Sequence, residues 1–206
     1  MTSSLRILPF VAAMAIIVAL SNILVQYPFE HLGLGEILTW GAFTYPVAFL
    51  VNDLTNRRFG AGAARRVVLA GFVIAVMLSV WLATPRIAIA SGTAFLAAQF
   101  LDTAVFDRLR GNAWWQAPFI STLLGSVLDT VLFFGLAFSA TFAGIDAAFG
   151  MEDGSLAFAV PFLGGQAPLW VSLALGDFAV KVLIGIAMLA PYGALLSALK
   201  PAPAMR

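Results

Sequence analysis

The sequence predicts an all-α polytopic membrane protein, a bundle of six transmembrane helices with both termini cytoplasmic. Three observations carry this. Hydrophobic residues make up 62% of the 206-residue chain and charged residues only 10%, against ~25% charged in a soluble domain. The apolar residues gather into runs close to the ~20 that cross a bilayer as a helix. The basic residues then fall between alternate runs. Arg6, Arg57, Arg58, Arg65, Arg66, Arg108, Arg110, Lys200 and Arg206, nine of the eleven, lie on one side, and Arg86 alone on the other. That other side holds Glu30, Glu36, Asp146, Glu152 and Asp153. By the positive-inside rule the basic side is cytoplasmic. No linker rich in Pro, Ser or Gly divides the chain, so residues 1–206 read as one domain.

The first helix covers about residues 7–25, broken only by Pro9, Ser21 and Asn22. Ala19-Leu20-Ser21 has the form of a signal-peptide cleavage site. The run is long for a signal core and holds Ser21-Asn22 inside it, so it reads as a retained helix. The second span covers about 37–54. Its uncharged part, Ile37 to Val51, is too short to cross straight. It therefore continues through Asn52-Asp53-Leu54-Thr55, which sets Asp53 just inside the far interface. The basic loop NRRFGAGAARR follows. The third span, 67–83, carries no charge and ends near Trp81, as scaffold would. A turn with Pro85-Arg86 leads into the fourth span, 87–106, and DRLRGNAWW joins it to the fifth, 117–142. Residues 143–168 form a long acidic, glycine-rich loop. Its apolar piece LAFAVPFL is too short to span and is expected on the surface or over the bundle mouth. The sixth span, 169–189, carries Asp177 and Lys181.

Placing one carboxylate in hydrocarbon costs at least ~2.5 kcal/mol, so spans that keep one face a cavity or a partner. Both middle spans carry an Asp-Thr pair, Asp102-Thr103 and Asp129-Thr130, and the two spans with their basic turn read as the lining of a polar path. Counting ~1.5 Å per residue puts Asp129 and Lys181 near the midplane, and Asp53 and Asp102 nearer the cytoplasmic side. Ser121, Gly125 and Asp129 recur every fourth residue as a narrow polar stripe, and Phe95, Gln99 and Asp102 share a face. Asp177 and Lys181, one turn apart, can neutralise each other as structural glue. Asp129 has no basic residue within a turn on its own helix and needs a partner from elsewhere. Two arrangements follow: Asp129 pairs with Lys181, or Lys181 pairs with Asp177 and leaves Asp129 for a ligand. The second is preferred because an i, i+4 partner is reachable in almost any packing. Asp53 and Arg57 read as an interfacial ion pair ending a helix.

Several function classes are excluded or disfavoured. The chain has no cysteine, hence no disulfide, thiol nucleophile or thiolate metal site. The only histidine, His31, sits in a loop, so no Ser–His dyad or multi-histidine metal site forms within the chain. No Gly-rich phosphate loop with Lys-Ser/Thr is present. A net charge of +1 offers no field for nucleic acid. Neither an enzyme, a cofactor nor a metal is expected.

The segments TWGAFTYPVAFLVNDLTNRRFG (Thr39 to Gly60), the first Asp-Thr unit with DRLRG–WW, STLLGSVLDTVLFFGLAF (Ser121 to Phe138) and DFAVKVL (Asp177 to Leu183) resemble the queuosine precursor transporter family. The resemblance runs from about Ser21 to Leu196. Matching positions are Asn22, Trp40, Pro46, Asp53, Thr55, Arg57, Gly60, Asp102, Arg108, Ser121, Thr122, Asp129, Lys181, Pro191 and Tyr192. Members commonly carry Gln where this chain has Ser126, whose reach is shorter. The resemblance implies a multi-pass bacterial inner-membrane importer of 7-cyano-7-deazaguanine and 7-aminomethyl-7-deazaguanine, related in fold to the substrate-binding subunits of energy-coupling-factor transporters. A deazaguanine offers N1–H and an exocyclic amine side by side, a donor pair one carboxylate accepts, and a flat face suited to aromatic rings. The expected substrate-binding residues are Asn22, Trp40, Thr44, Tyr45, Phe95, Gln99, Asp102, Ser121, Thr122, Ser126, Asp129, Asp177 and Lys181, with Asp53, Arg57 and Arg108 as structural or gating residues. Expected partners are the 7-deazapurine, the lipid bilayer and a second copy in a homodimer. A stand-alone secondary transporter or facilitator is the first reading. A subunit that docks an ATPase through Ala15-x-x-x-Ala19 is the second, and a structural protein with buried ion pairs the third.

Overall fold

The computed structural model describes residues 3–31, 38–162 and 164–196. Glu36, Lys200 and Arg206 lie outside them. Eight helices follow in chain order: α1 (Ser3–Leu24), α2 (Gly41–Thr44), α3 (Val47–Phe59), α4 (Ala61–Leu82), α5 (Pro85–Leu109), α6 (Gln116–Phe138), α7 (Gly144–Ala148) and α8 (Leu169–Leu196). Five of them, α1, α4, α5, α6 and α8, are long and apolar enough to cross a membrane. Each shows large apolar side chains to the outside, as a membrane span does. On α4 these are Leu69, Val73, Met77 and Val80, a stripe at helical spacing.

The second span departs from the expected single helix. It is split into α2 and α3 at Tyr45-Pro46, because Pro46 has no N–H to continue the ladder. Across the break Ala48 donates to the Tyr45 carbonyl and Phe49 to the Pro46 carbonyl, three residues back instead of four. Counted through the kink, Gly41–Phe59 is long enough for about 28 Å. Gly41 is needed here, since a Cβ would come within 2.8 Å of the Val25 backbone.

The expected basic loop is also different. NRRFGAGAARR is helical on both sides of Gly60, whose positive φ of 83° breaks the chain between α3 and α4. Arg57 and Arg58 thus end α3 and Arg65 and Arg66 begin α4. The start of α5 is set by the Thr84 side chain, which accepts from the Ile87 amide, and by Pro85 in the first turn. Its partner α6 packs along it as an antiparallel hairpin. Gly125 permits that approach, for a Cβ there would lie 3.3 Å from the Ala98 carbonyl of α5, and only 2.7 Å from the Phe49 ring of α3.

The acidic loop is not structureless. It holds a 3-10 turn (Ala140–Phe142), α7, and an antiparallel hairpin of β1 (Ala159–Phe162) and β2 (Gly165–Pro168), so an otherwise all-α chain carries one small sheet. Strand β1 takes up half of the apolar piece LAFAVPFL expected on the surface or over the mouth. One core cluster joins α1, α3, α4 and α5 through Met14, Val18, Val51, Val67, Val68 and Phe95. A second, of Leu54, Phe106, Ala117 and Tyr192, closes the end of the bundle that carries Arg57 and Arg110.

Candidate functional site

The interior holds three polar groupings, which we take from the middle of the bundle outward. In the first, Lys181 of α8 lies between two carboxylates. Its Nζ is 2.6 Å from Asp129 Oδ2 on α6 and 2.5 Å from Asp177 Oδ2 one turn back on α8. Thr130 supports the group: its hydroxyl donates to Asp177 at 3.3 Å. Tyr45, at the break between α2 and α3, has its ring 5.9 Å from Lys181 Nζ and packs edge-on against Phe95. The sequence reading preferred Lys181 bound to Asp177 with Asp129 left free. That is corrected: Lys181 reaches both, because α6 and α8 pack closely enough at this depth for one ammonium to bridge them. Two carboxyl groups thus share one ammonium.

One narrow cleft adjoins it and a second lies beyond. One is lined by Phe119, Thr122, Leu123, Ser126, Lys181, Val182 and Gly185. The other is lined by Pro46, Leu50, Asp53, Pro118, Thr122, Gly185, Met188, Leu189 and Tyr192. They meet at Thr122 and Gly185, so a line of small and polar residues runs from Lys181 to Asp53. The stripe Ser121, Gly125 and Asp129 is buried, as its spacing on α6 predicts, and Ser126 Oγ beside it is buried with no hydrogen-bond partner.

The second grouping joins α3 to α5. Asn52 Nδ2 lies within hydrogen-bonding distance of Asp102 Oδ2 at 2.9 Å, Thr103 Oγ1 at 3.0 Å and the Gln99 carbonyl at 3.1 Å. Asn56 donates to the Thr103 carbonyl at 3.0 Å. Asp53 accepts from Ser121 at 3.3 Å and lies within hydrogen-bonding reach of Asp102. Gln99 and Asp102 Oδ1 are fully buried with unpartnered polar atoms. Asp53 does not pair with Arg57, contrary to expectation. Arg57 turns instead to the Tyr192 hydroxyl (2.8 Å) and the Arg110 carbonyl (2.7 Å), with its guanidinium over the Phe106 ring. Arg110 answers by donating to the Arg57 carbonyl at 3.2 Å. Arg110 therefore fills the place expected of Arg108, which is exposed because it lies on the outer face of the α5 end.

The third grouping was not anticipated. Arg86, at the opposite end, is only 1% exposed. It donates to Asp146 (2.7 Å), the Leu136 carbonyl (2.8 Å), the Ser155 hydroxyl (3.1 Å) and the Ser139 carbonyl. Asp153 stands 3.6 Å away, and hydrogen bonds from Ser155 hold its carboxyl below the usual carboxylate range. One guanidinium thus ties the start of α5 to the end of α6 and to the acidic loop. The available signal was that Arg86 is the single basic residue on an otherwise acidic side.

Some expected site residues lie apart. Asn22 accepts from Ser79 at 2.9 Å in the contact between α1 and α4. Trp40 is 39% exposed and packs on Phe29, His31 and Phe43. Thr44 accepts from Ser21 at 3.0 Å. These three belong to the outer packing of α1 and α2, since the break at Pro46 turns only Tyr45 inward. Tyr45, Phe95, Thr122, Ser126, Asp129, Asp177 and Lys181 are brought together, with Gln99, Asp102 and Ser121 adjoining.

Comparison with known proteins agrees with this architecture. The profile of the family described as "Putative vitamin uptake transporter" matches residues 39–84 and 77–195. The queuosine precursor transporter of Escherichia coli is 38% identical over 89% of this chain and 83% of its own length. A protein named "Probable queuosine precursor transporter" from Haemophilus influenzae is 35% identical over 88% of this chain and 82% of its own. No solved structure matches. A chain matched over most of its length by such relatives, with five apolar spans around a polar interior, belongs to the queuosine precursor transporter family.

Proposed function

We propose that this chain imports 7-cyano-7-deazaguanine and 7-aminomethyl-7-deazaguanine across the bacterial inner membrane, acting alone as a secondary transporter or facilitator. The observation that carries this reading is the pair of carboxyl groups on one ammonium at Asp129–Lys181–Asp177, beside a cleft and near the Tyr45 ring of a broken helix. Discontinuous helices near the midplane are where secondary transporters hold their substrates. Asp129 uses Oδ2 for Lys181. Its other oxygen is the acceptor for the N1–H and exocyclic amine of the purine edge. Ser126 and Thr122, along the same stripe, supply hydroxyls, and Tyr45 offers the flat ring.

The test is uptake of labelled precursor into cells that cannot synthesise it. Asp129→Asn removes the charge-assisted acceptor and should cost ~2–4 kcal/mol, roughly thirty- to a thousandfold in affinity. The protein should still be found in the membrane. Binding within a fewfold of the parent would sink this site assignment.

The alternative reading is a substrate-binding subunit of an ATP-driven transporter. Ala15 and Ala19 on α1, the small-residue pair that favours it, are half-buried on a helix that also exposes Leu8, Ile16, Leu20 and Ile23. Co-purification of ATPase subunits with the tagged chain would decide for it.

A further inference from the structure

Two pairs of buried carboxyl groups lie in this bundle, and they are compensated differently. Asp129 and Asp177 share Lys181. Asp53 and Asp102, on α3 and α5, are within hydrogen-bonding reach of each other and, among the described residues, share no cation. Arg57 is one turn from Asp53 on α3, but its donors go to the Tyr192 hydroxyl and the Arg110 carbonyl. Beside them stand Asn52 of α3, which donates to Asp102, the hydroxyls of Ser121 and Thr122 on α6, and Tyr192 of α8. The arginines of α1 and α4, Arg6, Arg65 and Arg66, are exposed.

Asp102 Oδ1 is buried and has no donor. Paired carboxyl groups buried without a cation share one proton in other proteins. A proton on either acid gives the hydrogen bond between them and the donor that Asp102 Oδ1 lacks. Asp53 lines the second cleft, whereas Asp102 lies behind it and lines neither cleft. Asp53 is thus the member of the pair that the second cleft reaches, and that cleft shares Thr122 and Gly185 with the first.

Resting on the transport reading above, we infer that Asp53 and Asp102 are a proton-binding site and that each substrate enters with one proton. The proton is taken up by the pair from the side that loads substrate and given up on the side that releases it. It does at Asp53 and Asp102 what Lys181 does at Asp129 and Asp177. The separation of the two sites along α6, from Ser121 to Asp129, is about 12 Å at 1.5 Å per residue. Proton and purine thus occupy different levels of one path.

The experiment uses the full chain in proteoliposomes with a trapped pH dye and 7-cyano-7-deazaguanine, which is neutral and so carries no charge of its own. An acid-outside gradient of one unit should raise steady-state accumulation up to about tenfold for one proton per substrate. Adding substrate outside should acidify the lumen. Asp53→Asn should retain exchange of labelled for unlabelled substrate at equal pH and lose both the accumulation and the dye response. Exchange by the parent with no dye response and no gradient-driven accumulation would overturn the proton site and leave the import reading standing. Accumulation undiminished in Asp53→Asn would likewise overturn it. Absence of any exchange by the parent would remove the import reading and this proposal together. Where Asp53→Asn does not reach the membrane, the dye measurement on the parent still tests the coupled proton, and Asp102→Asn, read the same way, tests its place.

Discussion

Lys181 is the residue whose replacement separates the readings most sharply. It is the one cation in contact with Asp129 and Asp177, so Lys181→Met strands two carboxylates in hydrocarbon. Removing one partner of a buried ion pair costs ~3–5 kcal/mol, and here two partners are left behind. Asp177→Asn is milder than the sequence suggests. Lys181 would keep Asp129 at 2.6 Å, so the cost should stay at about 1.5–3 kcal/mol, the range of a lost charged hydrogen bond. Thermal unfolding of the detergent-solubilised variants checks the order: Lys181→Met far below Asp177→Asn, and Asp177→Asn nearer the parent. If the two aspartates were inequivalent enough that Asp177→Asn unfolded as readily as Lys181→Met, the bridging geometry would be wrong. This also shows where sequence reasoning stopped. Spacing along α8 gave the Asp177–Lys181 contact. The Asp129 contact depends on how α6 and α8 lean together, which no one-dimensional period contains.

Among the elements, the broken helix from α2 to α3 gives the clearest expectation. Pro46→Ala restores an N–H and favours a continuous helix. The protein should remain folded, while Tyr45 swings away from Lys181 and Phe95 and uptake of labelled precursor falls at least tenfold. An unchanged rate would mean the break is incidental. Gly41→Ala should behave oppositely, lowering stability, because its Cβ would meet the Val25 backbone at 2.8 Å, which cannot yield as a flexible side chain would. The long apolar helices were legible because composition and length suffice for them. The break at Tyr45-Pro46, the helical continuation on both sides of Gly60, and the β1–β2 hairpin were not read. Each hangs on one Pro or Gly whose effect is local and whose neighbours look helical or apolar on average.

For the molecule as a whole, the charge sorting predicts orientation. The Arg57–Arg110–Tyr192 end should face the cytoplasm and the Arg86 end the outside. A reporter fused after Arg206 should read cytoplasmic and one inserted near Gly154 external. A cytoplasmic signal from Gly154 would break the topology. Orientation in turn sets the energetics of import. A cationic aminomethyl substrate entering a negative interior gains ~2.3 kcal/mol per 100 mV, so collapsing the potential with a specific ionophore should reduce its accumulation more than that of the neutral cyano form. Equal loss of both would argue that the potential acts through something other than the substrate's own charge.

Arg86 has a consequence for how the chain is made. Its ion-pair partner Asp146 lies 60 residues later in the sequence. At the usual ~5–20 residues per second, the arginine emerges roughly 3–12 s before the carboxylate that neutralises it. If the Arg86 end faces outside, as the charge sorting predicts, the newly inserted α4–α5 hairpin presents a bare guanidinium throughout that interval on the side where basic residues are least welcome. Its retention there waits on α6 and α7. Chains stopped by ribosome arrest just before Asp146 should hold this hairpin less securely than chains stopped after Ser155, so the last step of assembly on that face is set by the order of synthesis.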